Sequence, residues 1–481
     1  MGNEYLEGNY APLPKEQTIT ELAVTGRIPE HLDGRYLRNG PNPIAEIDPG
    51  TYHWFTGDGM VHGIRLRDGR AEWYRNRWVR GPQAARALGE ARRPSAGRAG
   101  SDGVGANTNV ITHAGRTLAL IEAGVANYEL TDELDTVGPC DFGGTVSGGY
   151  TAHPKRDPRT GELHAVSYSF TRGNQVQYSV IGTDGRARRT VDIQVSGSPM
   201  MHDFSLTEKY VVFYDLPVTF DPEQAVANAV PALLRLPARL VLSAIVGRIR
   251  VPDPISARIT RGSRPNGAMP YRWDPDYPAR VGVMPREGTN ADVRWFDVEP
   301  CYVFHSLNAY DDGDSVVLDV VRHPKMFDTN LRGPNEGDPT LERWTVDLNA
   351  GKVREERLDG RPQEFPRIDE RLVGSRHRYG YAMQAVDGAG PSDSLLKHDL
   401  HGGSTAVRSF DAGRQPGEFV FVPSGPGAAE DEGVLMGLVY DPATQRSDLT
   451  LLDAGTLETV AAVHLPDRVP NGFHGNWSPT E

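Results

Sequence analysis

The feature that most limits how this chain can fold is a repeating pattern of short apolar runs bounded by turn residues. Clear examples span residues 116–122, 209–215, 314–321 and 433–441, which are rich in Val and Leu and bounded by pairs such as Asp-Gly, Asp-Pro and Ala-Gly. Such runs are typical of β-strands joined by tight turns. Because they recur without helices between them, we predict an all-β chain with a closed or radially repeated architecture. The pattern alone leaves a sandwich, a barrel and a propeller open, since no WD40 or kelch repeat is present.

Four of the 14 histidines lie in short and distinctive surroundings. They are His153 in T-A-H-P, His202 in M-M-H-D-F, His305 in V-F-H-S-L and His474 in G-F-H-G-N-W. Neutral imidazole is the commonest protein ligand for first-row metals and is well suited to iron. A lone histidine is more often a surface or hydrogen-bonded residue, so the metal hypothesis depends on the four together. Four such ligands would leave an octahedral metal two open positions, which suits oxygen chemistry.

Other segments accompany these histidines in a distinctive order along the chain. They are G-N-Y-A-P-L at 8–13, I-P-E-H-L-D-G-R-Y-L-R-N-G-P-N-P at 28–43, W-F-T-G-D-G-M-V-H-G at 54–63 and P-N-G-F-H-G-N-W at 470–477. Together they resemble the carotenoid cleavage oxygenase family of non-haem iron proteins, which also includes stilbene-cleaving enzymes and the vertebrate retinoid isomerase. The resemblance covers nearly the whole chain, so we expect residues 1–481 to form a single domain.

The resemblance implies both a fold and a metal site. The fold is a seven-bladed β-propeller with a dome of loops and helices over the iron-bearing end, and the ligands come from different blades. The implied ligands of Fe²⁺ are His153, His202, His305 and His474. In the family, three glutamates accept the other ring N–H of three of the histidines, and the matching positions here are Glu122, Glu364 and Glu418. For any one of these glutamates alone, a surface position is the ordinary alternative. We expect His153 to be the ligand without a carboxylate partner.

One further residue is implied at the reaction centre. Thr108, in A-N-T-N-V, matches a family threonine beside the open iron positions. A small side chain there would limit access to one position and orient dioxygen in the other. The alternative is an ordinary strand threonine, and the sequence does not separate the two.

The resemblance implies a dioxygenase that uses O₂ to cleave one C=C bond of an apolar polyene into two carbonyl products. Stilbene-cleaving relatives carry a lysine directly before the first outer glutamate, where this chain has Ile121. The loop at 81–106, which in those relatives can supply a tyrosine to the same phenol, contains no tyrosine. Both differences favour a carotenoid or apocarotenoid over a stilbene. A retinoid isomerase and a propeller scaffold without metal remain as alternatives.

One segment departs from the strand pattern. Residues 224–250 are apolar with helical spacing, are interrupted by Pro231 and Pro237, and carry several arginines. The uninterrupted apolar runs are shorter than the roughly 20 residues that cross a bilayer. The segment is either a helical hairpin packed on the dome or an interfacial patch that docks on membranes. The second reading fits a substrate that has to be extracted from lipid.

Composition excludes several other classes of function. The net charge of −13 argues against a nucleic-acid partner, because phosphate binding requires clustered Lys and Arg. The two cysteines, Cys140 and Cys301, form no C-x-x-C motif or disulfide framework, and the N-terminus has no signal-peptide pattern. We therefore expect a cytoplasmic protein, which would contact membranes only if the segment 224–250 docks on them. No H-E-x-x-H or G-x-S-x-G motif supports a zinc protease or a serine hydrolase.

Overall fold

Seven antiparallel sheets of four or five strands surround a common axis in the computed structural model of this chain. The structure describes residues 2–91, 100–103, 105–230, 232–250, 269–334, 336–385, 392–411 and 413–480. This arrangement confirms the predicted seven-bladed β-propeller. The strands of the seven blades follow, from the innermost strand outward.

Blade 1 consists of Gly475–Pro479, Gly34–Pro41, Gly59–Arg67, Arg70–Trp78 and Gln17–Ile19. Blade 2 consists of Asn109–His113, Arg116–Leu120, Asn127–Leu130 and Thr136–Cys140. Blade 3 consists of Lys155–Arg156, Leu163–Ser167, Gln175–Ile181 and Ala187–Gln194. Blade 4 consists of Phe204–Leu206, Tyr210–Asp215, Arg280–Pro285 and Arg294–Asp297.

Blade 5 consists of Tyr302–Asp312, Ser315–His323, Thr340–Asp347 and Lys352–Asp359. Blade 6 consists of Gln363–Arg367, Tyr379–Ala385, Ser392–Asp399 and Ser404–Ser409. Blade 7 consists of Gln415–Pro423, Gly433–Asp441, Arg446–Asp453, Thr459–His464 and Ala23–Gly26.

Both ends of the chain close the ring. The C-terminal strand Gly475–Pro479 is the innermost strand of blade 1, which otherwise consists of N-terminal strands. The N-terminal strand Ala23–Gly26 is the outermost strand of blade 7. Each closure pairs strands more than 400 residues apart, so the first and last blades cannot form without each other.

The position of a strand within its blade decides its sequence pattern. Ser315–His323 in blade 5 reads S-V-V-L-D-V-V-R-H and is buried along most of its length, because neighbouring blades cover both faces. The outermost strand of the same blade, Lys352–Asp359, is polar, with half of its residues exposed and none buried. The Val- and Leu-rich runs that predicted strands therefore correspond to the second strands of blades 2, 4, 5 and 7.

Short helices and one small sheet lie outside the blades. The α-helices are α1 at Pro82–Ala87, α2 at Pro222–Ala229 and α3 at Arg235–Ile245. Short 3₁₀ turns occur at Glu4–Leu6, Gly8–Tyr10, Trp54–Thr56, Phe170–Arg172, Ala232–Leu234, Asn290–Asp292 and Glu370–Leu372. The small sheet pairs Val218–Phe220 with Tyr271–Trp273. Helices α2 and α3 occupy most of the predicted helical segment 224–250, although Pro231 itself lies outside the described residues.

Three innermost strands carry β-bulges. The register shifts by one residue between Val303 and Ser306 in blade 5, between Glu364 and Arg367 in blade 6, and between Pro416 and Phe419 in blade 7. A bulge inserts an extra residue and changes the direction of the local side chains. These bulges contain or directly follow His305, Glu364 and Glu418, and thus lie at the axis end where the site forms.

Candidate metal centre

The four predicted histidines converge on the propeller axis. One nitrogen from each of His153, His202, His305 and His474 lies within 4.8 Å of the others. The ring centroid of His153 lies 4.3 Å from that of His202, 5.0 Å from that of His305 and 4.6 Å from that of His474. Because the residues lie in or just before the innermost strands of blades 3, 4, 5 and 1, only the closed propeller brings them together. Such a cluster of buried imidazoles is able to hold a metal ion.

The ring nitrogens that face the cluster lack protein partners. Nε2 of His153 and Nε2 of His305 are buried without a hydrogen-bond partner among the described residues. Burial, followed by the three neighbouring imidazoles, lowers the pKa of His153 well below its ordinary value. Metal binding requires the neutral form of an imidazole, which this lowered pKa favours for His153.

In three of the histidines, Nδ1 is bound to one of the predicted glutamates. Nδ1 of His202 lies 2.7 Å from Oε1 of Glu122, and Nδ1 of His305 lies 2.5 Å from Oε2 of Glu364. Nδ1 of His474 lies 2.9 Å from Oε1 of Glu418. A carboxylate that accepts the Nδ1 proton fixes the ring and leaves Nε2 as the free donor atom.

The four histidines and three glutamates come from all seven blades. The histidines lie in or just before the innermost strands of blades 3, 4, 5 and 1, Glu122 follows the second strand of blade 2 by two residues, and Glu364 and Glu418 lie in the innermost strands of blades 6 and 7. Among the described residues no carboxylate binds the His153 ring, and the backbone N–H of His153 donates to Thr151 Oγ1 at 3.2 Å.

Glu364 and Glu418 remain ionised in the buried site. Burial alone would raise the pKa of Glu364, but the imidazoles of His305 and His323 hold it far below its usual range. Burial likewise opposes ionisation of Glu418, yet Arg367 and His474 lower its pKa to about 2. In the opposite sense, Glu364 outweighs burial and raises the pKa of His305. Glu364 and Glu418 are therefore charged acceptors for the imidazole N–H groups of His305 and His474.

Sequence reasoning missed the residues that support the glutamates. Nε2 of His323 lies 2.8 Å from Oε1 of Glu364. The Tyr168 hydroxyl donates to Oε1 of Glu122 at 2.8 Å, and Arg367 Nη1 donates to Oε1 of Glu418 at 3.3 Å. None of these residues is adjacent in sequence to its glutamate, so no local motif could have identified them.

Thr108 lies next to the site at the start of blade 2. It precedes the strand Asn109–His113 by one residue, is half-buried, and donates from Oγ1 to Asn107 Oδ1 at 2.9 Å. Its carbonyl accepts the backbone N–H of His474 at 3.1 Å. The threonine is thus anchored to a histidine segment.

Aromatic rings cover one side of the histidines. Phe304 lies 5.2 Å from the ring of His202, and Phe55 lies 5.9 Å from Phe304 and 5.5 Å from Phe473. Phe365 lies 5.4 Å from the ring of His474. Since Phe55 belongs to a segment outside the blades, this aromatic layer joins the propeller to the structure that covers its end.

A polar cavity leads away from the histidines. It has a volume of about 350 Å³, and its walls include His153, His305 and His474. It also reaches the exposed residues Arg156 and Glu370, so it connects the cluster to the surface. The site therefore lies between an aromatic layer and a hydrophilic passage.

The position before the first glutamate is apolar and packed. Ile121 is buried with Val61, Val110 and neighbouring apolar residues of blades 1 and 2. It offers no donor to a phenol oxygen. The loop at 81–106, which contains no tyrosine to meet the same phenol, lies partly outside the described residues.

Comparisons with known proteins agree with this geometry. Residues 10–479 match the family described as "Retinal pigment epithelial membrane protein". A carotenoid cleavage oxygenase from Mycobacterium tuberculosis is 62% identical over 99% of this chain and 98% of its own. The crystal structure of Pseudomonas brassicacearum lignostilbene dioxygenase superimposes with a TM-score of 0.82 at 27% identity over 100% of both chains. Cobalt-substituted Synechocystis apocarotenoid oxygenase gives 0.79 at 28% identity over 98% of both chains. The chain therefore belongs to the carotenoid cleavage oxygenase family.

Proposed function

We propose that this chain is a non-haem iron(II) dioxygenase that cleaves one C=C bond of a carotenoid or apocarotenoid to give two carbonyl products. The observation that carries the proposal is the cluster of His153, His202, His305 and His474, three of which have Nδ1 bound to a carboxylate. Because the ligands extend from blade 3 to the C-terminal strand, we also propose that residues 1–481 act as a single domain.

The residues present fit iron(II). The unpartnered Nε2 atoms of His153 and His305 belong to the converging cluster, and imidazole suits iron as well as other first-row metals. Three outer glutamates place negative charge behind the ligands, which offsets the metal charge without direct coordination. Bound iron would supply the redox chemistry that activates dioxygen.

The remaining functions fall to the side chains of this protein. His202, His305 and His474 keep their donor atoms aimed at the axis because their Nδ1 protons are held by carboxylates. The aromatic layer of Phe55, Phe304, Phe365 and Phe473 excludes water and offers an apolar surface to a polyene. We propose that Thr108 borders the reaction centre, since its carbonyl is bound to the His474 segment. No general acid or base is required, because the reaction adds oxygen across an alkene.

Two observations support a polyene rather than a stilbene. The relative that is 62% identical is a carotenoid cleavage oxygenase. In addition, Ile121 is apolar and buried where a phenol-binding lysine would stand. The likeness to lignostilbene dioxygenase, at 27% identity, supports the chemistry more than the substrate.

The proposal is tested by assaying iron-reconstituted protein in air with an apocarotenal and, in parallel, with resveratrol. We expect aldehyde products from the apocarotenal only, with ¹⁸O from labelled dioxygen in the products. Resveratrol cleavage would retain the dioxygenase and overturn the substrate. Isomerisation without oxygen incorporation would overturn the cleavage reaction, and the absence of bound iron would overturn the metal site.

We also propose that the segment around α3 docks on lipid. Leu233, Leu236, Leu240 and Val241 are 95%, 69%, 65% and 60% exposed, an unusual concentration of apolar surface. Arg235 and Arg239 lie among them and are able to meet lipid headgroups. No helix among the described residues is long and apolar enough to cross a membrane.

Vesicle flotation tests this docking. We expect the double variant Leu236→Ser, Leu240→Ser to lose vesicle binding while it retains its metal content. Val407→Ser is the matched control, because Val407 is 45% exposed on the outermost strand of blade 6. Equal flotation of both variants and the wild type would remove the patch from any lipid contact.

A further inference from the structure

We propose that Asp203 is a positioning residue that links three of the four histidine segments and so sets the metal affinity of the site. It directly follows His202 and lines the polar cavity. The inference rests on the proposed function only in taking the four histidines as the metal ligands.

Asp203 accepts hydrogen bonds from blades 3, 4 and 5. Its Oδ1 accepts the N–H of Phe204 at 2.7 Å, and its Oδ2 accepts both the N–H and the hydroxyl of Ser306, at 2.8 and 3.2 Å. Nζ of Lys155 lies 3.0 Å from Oδ1 and 3.2 Å from Oδ2. Lys155 follows His153 by two residues and Ser306 follows His305 by one, so a single carboxylate joins the segments of three ligands.

Other polar side chains continue these links around the cavity. Asn109 Nδ2 donates to the carbonyl of Ala152 at 2.8 Å, and Asn476 Nδ2 donates to Asn109 Oδ1 at 2.9 Å. Arg367 donates to the carbonyl of Gly475 at 3.3 Å and to Asn476 Oδ1 at 2.9 Å. We name this set the polar girdle, and its members are Asn109, Lys155, Asp203, Ser306, Arg367 and Asn476. All six line the polar cavity.

His153 depends on the girdle more than the other ligands do. His202, His305 and His474 each have a carboxylate on Nδ1, whereas His153 contacts none among the described residues. Its position is instead fixed through its neighbours, by the bond from Asn109 to Ala152 and by the ion pair of Lys155 with Asp203. Loss of the Asp203 carboxylate would therefore displace the one ligand that has no direct support.

The test compares two buried aspartates of blade 4. In Asp203→Asn the amide N–H₂ replaces one carboxylate oxygen and would face a backbone N–H, of Phe204 or of Ser306, and the Lys155 ammonium, none of which can accept, so the isosteric change still breaks links. Asp215→Asn is the matched control, because Asp215 is also buried and its carboxylate accepts hydrogen bonds from Ser196, Tyr277 and Arg280. None of those partners belongs to the girdle. Cobalt(II) is the probe, and its binding constant and ligand-field absorption spectrum are measured for the full chain.

We expect Asp203→Asn to bind cobalt(II) about tenfold more weakly than the wild type, with shifted ligand-field bands. Asp215→Asn is expected to keep the wild-type affinity and spectrum even if its melting temperature falls. Wild-type affinity and spectrum in Asp203→Asn would overturn the positioning role. A wild-type protein that binds no cobalt would overturn the metal site itself, which is a separate result.

A second variant covers the case in which Asp203→Asn does not fold. Lys155→Met removes the ion pair but leaves Asp203 bound to Phe204 and Ser306, so the blade interfaces keep most of their links. We expect it to weaken cobalt(II) binding about threefold and to shift the same bands. An unchanged affinity and spectrum in this variant would equally overturn the proposal.

Discussion

Nε2 of His323 lies 2.8 Å from Oε1 of Glu364, so this carboxylate holds two imidazoles at once. The other oxygen, Oε2, lies 2.5 Å from Nδ1 of His305. Both Glu364 oxygens are therefore occupied by imidazole donors, and the carboxylate cannot rotate away from His305. The orientation of His305 depends on a residue of the next strand in its own blade as well as on blade 6.

Glu364→Gln is expected to weaken iron retention about ten- to a hundredfold. A glutamine offers one acceptor and one donor group, so it cannot accept both imidazole N–H groups. Iron retention is measured by competition with a chelator. Glu287→Gln is the control, because Glu287 is an exposed residue whose ion pairs are with Arg188 and Arg189. Wild-type retention in Glu364→Gln would show that the carboxylate does not tune the ligand.

Tyr168→Phe is expected to weaken metal binding about fivefold, since one hydrogen bond contributes roughly 1 kcal/mol. The hydroxyl donates to the same Glu122 oxygen that His202 uses, and its loss leaves that carboxylate freer to move. Tyr178→Phe is a matched control, because its hydroxyl bonds to His164, which is not part of the cluster. An equal effect of the two variants on metal affinity would indicate a general loss of stability.

The strands and the histidine segments were predictable because their signals are local. Val- and Leu-rich runs between turns predict strands whatever their partners, and the contexts of His153 and His474 carry the family resemblance. The number of blades came from that resemblance, since the apolar pattern alone left sandwich and barrel open. The closure of blade 1 by Gly475–Pro479 pairs residues at opposite ends of the chain, which no local pattern indicates.

The outer contacts of the site were not predictable either, because they join residues that are far apart in the sequence. The bulge next to Glu364 arises from the pairing of two strands, although Pro366 in the bulge hints at an irregular ladder. The partners His323, Tyr168 and Arg367 belong to strands or turns far from their glutamates in sequence. The cytoplasmic location expected from the cysteines and the N-terminus stays a prediction.

We expect the buried carboxylate of Asp58 to lower the stability of the folded protein as the pH rises. Its carboxylate is buried, accepts N–H bonds from Ile44 and Gln83 on Oδ2, and has no partner on Oδ1 among the described residues. Burial outweighs these bonds and raises its pKa from 3.8 to about 6. The folded state then binds this proton more tightly than the unfolded state does. Stability from this group is greatest below the unfolded pKa and falls as the pH rises towards 6.

The penalty for ionised Asp58 at neutral pH is about 3 kcal/mol, because one pKa unit corresponds to about 1.4 kcal/mol. Asp58→Asn removes this titration. We expect the stability of the variant, relative to the wild type, to be higher at pH 7.5 than at pH about 4. Urea unfolding of both proteins at several pH values measures the difference. A difference that does not change with pH would show that Asp58 does not titrate in this range.

Alanine variants of the four histidines separate metal binding from folding. Each of His153→Ala, His202→Ala, His305→Ala and His474→Ala is expected to abolish activity and to reduce iron content. Their effects on the metal-free protein should differ. His153→Ala removes a buried nitrogen that has no partner, so we expect little loss of metal-free stability. His305→Ala deprives Glu364 of one donor, which costs about 1–3 kcal/mol for a buried acceptor.

Melting temperatures with and without iron(II) check these expectations. A ligand at 100 times its Kd stabilises the wild type by about 2.7 kcal/mol, so iron should raise the wild-type melting temperature. In His153→Ala the metal-free melting temperature should match the wild type, and iron should no longer raise it. If iron still stabilises this variant fully, His153 is not a ligand. If the metal-free variant is already strongly destabilised, His153 contributes to the fold through contacts that its unpartnered Nε2 does not explain.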